Sequence, residues 1–111
     1  MRGTLRSVEA PTEFILIARD GTDDGAMPRR LAARERHLAT FDKFRKEGVF
    51  KYGCAILDEK DRMIGSVVVC EFASRKELEE VWLAQEPYVL GGVLRSIEIH
   101  SFRTRVTPGL T

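Results

Sequence analysis

His37, Arg34 and Glu86 are the side chains of this sequence best suited to acid–base chemistry on a small molecule. When a carboxylate binds one imidazole nitrogen, it fixes the tautomer and raises the basicity of the other nitrogen, which can then move a proton. A neighbouring arginine can hold an anionic group or stabilise a developing enolate. Tyr88, two residues after Glu86, is a further candidate for contact with a substrate.

The helical pattern decides whether these side chains can meet. A helix is predicted over 29–47, with an apolar stripe made of Leu31, Leu38, Phe41 and Phe44. At about 100° per residue, His37 lies on the flank of this stripe and Arg34 lies near its centre. A cation there needs a carboxylate or a polar cavity. Glu86 follows the second predicted helix, so it can approach His37 or Arg34 if both helices cover one face of a sheet.

A plainer interpretation stays open for each candidate. A histidine on a helix flank is more often packed or exposed than catalytic, and Arg34 with Glu86 is consistent with an ion pair between helices. Asp20, with Asp23 and Asp24, is expected in a solvated loop, because the spacing is not that of a calcium-binding loop. His100 alternates outward on an edge strand. Two distant histidines and no cysteine cluster predict no metal site.

The elements that must position these residues follow from periodicity. Strands are predicted over 13–19, 49–57, 63–72 and 93–102, and a second helix is predicted from the Ser74 cap to Pro87. Right-handed crossovers then give an α+β fold of the ferredoxin-like β-α-β-β-α-β type, with a four-stranded antiparallel sheet and both helices on one face. The first and third strands are apolar on both sides, which places them in the middle.

The face of the sheet opposite the helices is therefore also apolar. A monomer rarely exposes such a surface to water. We expect a homodimer in which two sheets pack face to face.

Composition limits the remaining classes of function. The chain has 111 residues and a net charge of +1, which predicts one domain without the basic surface that nucleic acids or anionic membranes require. We expect a flexible lead over 1–12, a domain over 13–103 and a tail over 104–111. Cys54 and Cys70 are predicted to be unpaired apolar core residues, with Cys54 opposite Val67 in a hairpin. These thiols and the lack of a signal peptide or membrane span predict a cytoplasmic protein.

Several short segments, in order, resemble those of the YCII-related (YciI-like) family. FILIARDG at 14–21 is similar to the family's first strand, and RERHL at 34–38 matches its R-x-x-H-L signature. EPYV at 86–89 is similar to the family's D-P-Y-V stretch, whereas Gly-Cys at 53–54 stands where Gly-Pro is usual. The likeness spans almost the whole domain, from about residue 14 to residue 102.

This resemblance implies a ferredoxin-like domain that dimerises into an α/β barrel, with a His–Asp pair in a cleft. Carried over to this sequence, the pair is His37 and Glu86, and glutamate replaces the usual aspartate. Relatives in the wider dimeric barrel group include muconolactone isomerases and a dehydrochlorinase of a chlorinated hydroxyhydroquinone.

Three hypotheses of function follow. The leading one is an enzyme without a bound cofactor that performs isomerisation or elimination, with His37 as acid or base, Glu86 as its orienting partner and Arg34 as an electrostatic clamp. The second is a non-catalytic dimer that binds a small ligand in the same cleft. The third is a purely structural dimer.

Overall fold

The computed structural model of the chain describes residues 11–105. Its elements are, in chain order, β1 (Thr12–Asp20), α1 (Ala26–Lys46), β2 (Phe50–Leu57), β3 (Met63–Phe72), α2 (Arg75–Glu77), a π-helical segment (Leu78–Trp82), a 3-10 segment (Leu83–Gln85), α3 (Pro87–Leu90) and β4 (Leu94–Phe102). The predicted lead lies outside the described residues up to residue 10, and the predicted tail lies outside them from residue 106. No helix within 11–105 is long and apolar enough to cross a membrane.

The four strands form one antiparallel sheet in the order β2-β3-β1-β4. This topology confirms the predicted ferredoxin-like α+β fold, with β1 and β3 in the centre and β4 at an edge. The hairpin register pairs Cys54 with Val67, as predicted. His100 is exposed on β4, also as predicted.

The core lies between the sheet and the helices. Side chains from every strand and from both helical regions meet there, and the buried members are Phe14, Leu16, Phe44, Phe50, Val68, Cys70, Phe72, Leu78 and Trp82. Cys70 is fully buried, but the prediction that Cys54 is also a core residue is wrong, because Cys54 is exposed. Its partner Val67 pairs with Ile17 on β1, so Cys54 shares the side of the sheet turned away from Phe14 and Leu16.

The inner face of α1 differs from the predicted stripe. Leu31 and Leu38 are 57% and 46% exposed, and Arg34 is exposed too, so placing Arg34 at the centre of a buried face was wrong. The buried cation is Arg30, which lies one turn before Arg34. Together with Ala33, Arg30 faces the sheet because a carboxylate at the end of β1 neutralises it there.

The second helical region is also less regular than predicted. Ser74 caps it, with its Oγ accepting from the Glu77 amide at 3.1 Å. The chain then widens into a π-helical segment, in which the Leu83 amide donates to the carbonyl of Leu78, before it tightens into the 3-10 segment. Leu78 and Trp82 point into the core as predicted. Val81 and Gln85, predicted on the same inner face, are exposed.

Candidate active site

His37 and Glu86 lie in direct contact between α1 and the start of α3. His37 Nδ1 bonds Glu86 Oε1, and Oε2 is 3.1 Å from the same nitrogen. The Glu86 side chain is 2% exposed and that of His37 is 16% exposed. Because a carboxylate only accepts hydrogen bonds, Nδ1 must donate, and the neutral imidazole then carries a lone pair on Nε2.

The local sequence explains why Glu86 points inward. Its backbone is extended at the N-cap of α3, and Pro87 occupies the first helical position, where it needs no amide proton. Glu86 Oε1 also accepts from the Tyr88 amide at 3.4 Å. The Glu86 carboxylate therefore binds both the Tyr88 amide at the start of α3 and the imidazole of His37.

Tyr88 forms the wall behind His37. The two rings are stacked, with centroids 3.8 Å apart and planes 6° apart. Burial raises the pKa of the Tyr88 phenol above its ordinary value, so Tyr88 is a neutral phenol near pH 7. Its ring restricts the rotation of the imidazole, and its hydroxyl reaches towards Arg30.

Arg30 is held from several sides. Its Nε donates to Asp20 Oδ2 at 2.6 Å and its Nη2 to Asp20 Oδ1 at 3.1 Å, and the two side chains are only 3% and 5% exposed. The same Nη2 also donates to Ser66 Oγ at 3.1 Å and to the carbonyl of Gly65 at 3.2 Å. Nη1 donates to the Tyr88 hydroxyl at 3.4 Å. Burial lowers the Arg30 pKa, but the hydrogen bonds and charge of Asp20 outweigh that effect and raise it overall.

An open cavity of about 190 Å³ lies in front of these groups, between α1 and the strands β2 and β3. His37, Tyr88 and Ser66 contribute to its wall, together with Arg30 and Arg34. Since Nδ1 is occupied by buried Glu86, the nitrogen of His37 that a ligand can reach is Nε2. The cavity therefore presents one proton acceptor, His37 Nε2, within a wall that is partly basic and partly apolar.

The floor of the cavity depends on a glycine. A Cβ atom added at Gly53 would lie 3.0 Å from the Phe41 ring, so a side chain there would push the ring aside. Phe41 itself lies 6.5 Å from His37, centroid to centroid. The absence of a side chain at Gly53 thus leaves room for the Phe41 ring between β2 and the imidazole side of the cavity.

The site thus contains the predicted residues and three further polar residues that were not among the predicted site residues. His37, Glu86 and Tyr88 come together, and Arg34 lies exposed at the cavity wall without contacting Glu86, whose partner is His37. Arg30, Asp20 and Ser66 are the additional polar members. Asp20 was expected in a solvated loop, and this was wrong because it pairs with Arg30 at the end of β1.

No group of three potential metal-ligating His, Cys, Asp or Glu side chains occurs within 11–105. The polar groups at the cavity pair with one another as hydrogen-bond partners.

Comparison with known proteins places the chain in a family. The sequence pattern of the YCII-related domain matches residues 12–103, which is most of the chain. The chain belongs to the YCII-related family. A protein of Haemophilus influenzae (strain ATCC 51907 / DSM 11121 / KW20 / Rd), named only as uncharacterized, is 30% identical to this YCII-related protein over 96 residues, covering 81% of this chain and 95% of the relative.

A solved structure is similar to the YCII-related chain in its fold. It is 5-chloro-2-hydroxyhydroquinone dehydrochlorinase from Burkholderia phenoliruptrix AC1100 in complex with 2,5-dihydroxybenzoquinone. The two superpose with a TM-score of 0.66 at 21% identity, over 81% of this chain and 93% of the other. At this identity the likeness establishes a shared fold.

Proposed function

We propose that this YCII-related protein is an enzyme that moves a proton on a small organic molecule without a bound cofactor. The observation that carries the proposal is the bond between His37 Nδ1 and the buried Glu86 carboxylate, beside an open cavity. Glu86 keeps the imidazole in the tautomer whose Nε2 is a base, and it stabilises the imidazolium that forms when Nε2 takes a proton.

The proposed step begins with a carbon acid. Nε2 of His37 removes a proton next to a carbonyl group, and the electrons of the broken C–H bond form an enolate. Return of the same proton at another carbon gives an isomer. If the enolate instead expels a leaving group, which departs as an anion with the electron pair of its bond to carbon, an elimination product forms. The name of the dehydrochlorinase with the same fold describes the loss of hydrogen chloride, which is an elimination and supports the choice of reaction class.

Arg34 has a supporting role in this proposal. Its exposed guanidinium lies at the cavity wall, where it can attract and hold a substrate with an anionic group. We expect loss of Arg34 to raise KM more than it lowers kcat, because the residue is not placed at the reacting atoms. Arg34→Gln measured against wild type at two ionic strengths tests this role, since an electrostatic clamp weakens as salt is added.

The central experiment is a screen for turnover followed by substitution of each histidine. The purified protein is incubated with halogenated hydroquinones, lactones and keto acids, and proton exchange at carbon is followed by NMR in D₂O. His37→Ala should lower the rate by about 100-fold or more. His100→Ala is the matched control, because His100 is exposed on β4 and should leave the rate unchanged. Equal rates for His37→Ala and wild type would remove His37 from the mechanism.

A ligand-binding module is the second candidate. It is favoured by the second bond of Glu86 to the Tyr88 amide, which gives the carboxylate a structural use even without catalysis. In that case metabolites added to the protein are recovered bound and unchanged. Mass spectrometry of the bound fraction before and after incubation separates this outcome from turnover.

We also propose that the functional unit is a homodimer in the cytoplasm. The sheet face opposite the helices carries Ile15, Ile17 and Val67, which are only partly buried, and Tyr52, which is 56% exposed. A second copy of the sheet would cover this apolar surface. Free Cys54 and Cys70 suit a reducing compartment. A stable monomer in sedimentation at micromolar concentration would contradict the dimer, and cell fractionation tests the location.

A further inference from the structure

Two hydroxyl groups at the cavity wall share one cation. Arg30 donates from Nη2 to Ser66 Oγ at 3.1 Å and from Nη1 to the Tyr88 hydroxyl at 3.4 Å. Ser66 and Tyr88 belong to different elements, β3 and α3, yet both oxygens lie within hydrogen-bond distance of the same guanidinium. Both residues line the same cavity as His37.

The direction of these bonds determines what the hydroxyls can do. Each oxygen accepts from the guanidinium, so each O–H proton remains to be donated elsewhere. Within residues 11–105, neither hydroxyl donates to another protein group, so each proton can be donated to a ligand in the cavity that both residues line. A hydroxyl that accepts from a cation is polarised and becomes a stronger donor.

The charges around the cavity favour the same kind of ligand. Its wall includes Arg30 and Arg34, and the carboxylates of Asp20 and Glu86 stand behind Arg30 and His37 instead of in the wall. Asp20 also keeps Arg30 charged and fixed in the interior. A negative oxygen placed here meets hydrogen-bond donors and cations and no carboxylate.

We propose that the hydroxyls of Ser66 and Tyr88, polarised by Arg30, form an oxyanion-binding site for a carbonyl oxygen that becomes an enolate oxygen. The enolate assignment rests on the proposed function, whereas the binding of an oxyanion does not. In the proton transfer described above, His37 Nε2 takes the proton from carbon and the negative charge collects on the oxygen held by the two hydroxyls. No covalent bond to the protein forms.

The size of the cavity narrows the ligand class. An enclosed space of about 150 Å³ is enough for a benzene ring in a protein interior. The cavity of about 190 Å³ therefore has room for one six-membered ring with small polar substituents. The preferred ligand is a cyclic ketone, quinone or phenolate of one ring.

The probe for this site is 4-nitrophenol, a one-ring compound whose phenolate form absorbs visible light and whose neutral form does not. At a fixed pH below the midpoint of the free compound, the wild-type protein should bind the phenolate preferentially, so that visible absorbance increases on binding. Ser66→Ala and Tyr88→Phe should each weaken phenolate binding by about tenfold to a hundredfold, the usual effect of removing a hydrogen bond to a charged group. Both variants keep the Asp20–Arg30 pair and are expected to fold.

Two controls separate this proposal from the proposed function. Ser101→Ala removes an exposed serine of β4 and should leave phenolate binding unchanged. His37→Ala should lower turnover by about 100-fold or more but keep phenolate binding within a few fold. If His37→Ala loses binding while Ser66→Ala and Tyr88→Phe keep it, an imidazolium holds the anion and the oxyanion site is wrong. Phenolate binding without any turnover would reject the enzyme and retain the site.

Crystallography of the phenolate complex provides the direct check. The phenolate oxygen should lie about 3 Å from both Ser66 Oγ and the Tyr88 hydroxyl. The proposal is overturned if the compound binds as the neutral phenol, if it does not bind at millimolar concentration, or if its oxygen points away from the two hydroxyls.

Discussion

Replacing Arg30 by methionine should strongly destabilise the domain. Methionine has a similar length but no charge, so the Asp20 carboxylate would stay buried without a partner. The acceptors at Gly65 and Ser66 would lose their donor as well. Breaking a buried pair from one side costs about 3–5 kcal/mol, which is a large part of the roughly 5–15 kcal/mol that stabilises a typical domain. At about 4 °C or more per kcal/mol, the melting temperature should fall by at least about 12 °C.

Arg29 offers a matched control on the same helix. It also forms a two-bond pair with an aspartate, Asp23, at 2.9 and 2.7 Å, but the two side chains are 37% and 52% exposed. Arg29→Met should therefore leave the urea midpoint of unfolding close to that of the wild type. The two substitutions remove the same chemical group from neighbouring positions and differ in burial.

The assay is urea unfolding followed by circular dichroism, at pH 7 and one fixed protein concentration, with wild type, Arg30→Met, Arg29→Met and the double variant Asp20→Asn/Arg30→Met. The double variant should be more stable than Arg30→Met, because it removes the unpaired charge as well as the cation. Equal losses for Arg29→Met and Arg30→Met would refute the reasoning from burial. A double variant no more stable than Arg30→Met would show that the charge of Asp20 is not the source of the cost.

Three further results follow from the site and the sheet. Glu86→Asp should lower kcat by about 100-fold, because a side chain one methylene shorter moves the carboxylate away from His37 by roughly an ångström. An unchanged kcat would refute this prediction. If the sheet faces associate, Cys54 should react with iodoacetamide at nanomolar protein and be protected at micromolar protein. Cys70, whose pKa burial raises to about 12, should not react at either concentration. Burial raises the pKa of Tyr88 in the folded protein. The contribution of the neutral phenol to stability is therefore full below about pH 10 and is lost as pH rises through the folded-state pKa. Tyr88→Phe should reduce the decrease in the free energy of unfolding at alkaline pH.

The sheet and the His37–Glu86 pair were accessible to sequence reasoning because they depend on pattern and topology. Alternating and two-sided apolar strands gave the strand order, and two helices on one face brought residues 49 positions apart into contact. The buried pair of Arg30 and Asp20 was not accessible in this way. An aspartate at the start of an Asp- and Gly-rich loop looks solvated until the register of β1 and the rotation of α1 are known.

The inner face of α1 was predicted only in part. Apolar periodicity assigned Leu31 and Leu38 to the inner face, and on that basis Arg34 became the central cation. In the fold, Phe41 and Phe44 pack in the core as predicted. Arg30 is buried in its pair with Asp20, and both leucines are exposed. Hydrophobic pattern alone gives no weight to a partner ten residues earlier in the chain.

The π-helical segment Leu78–Trp82 lets the chain hold one extra residue without changing the site. A π turn holds one more residue than the corresponding α turn. Deleting one residue there would let a regular helix form in which every later residue keeps nearly its present direction, with Glu86 still facing His37. In sequence alignments, a one-residue gap in this segment is therefore compatible with the same site, whereas a change at Glu86 alters the site directly.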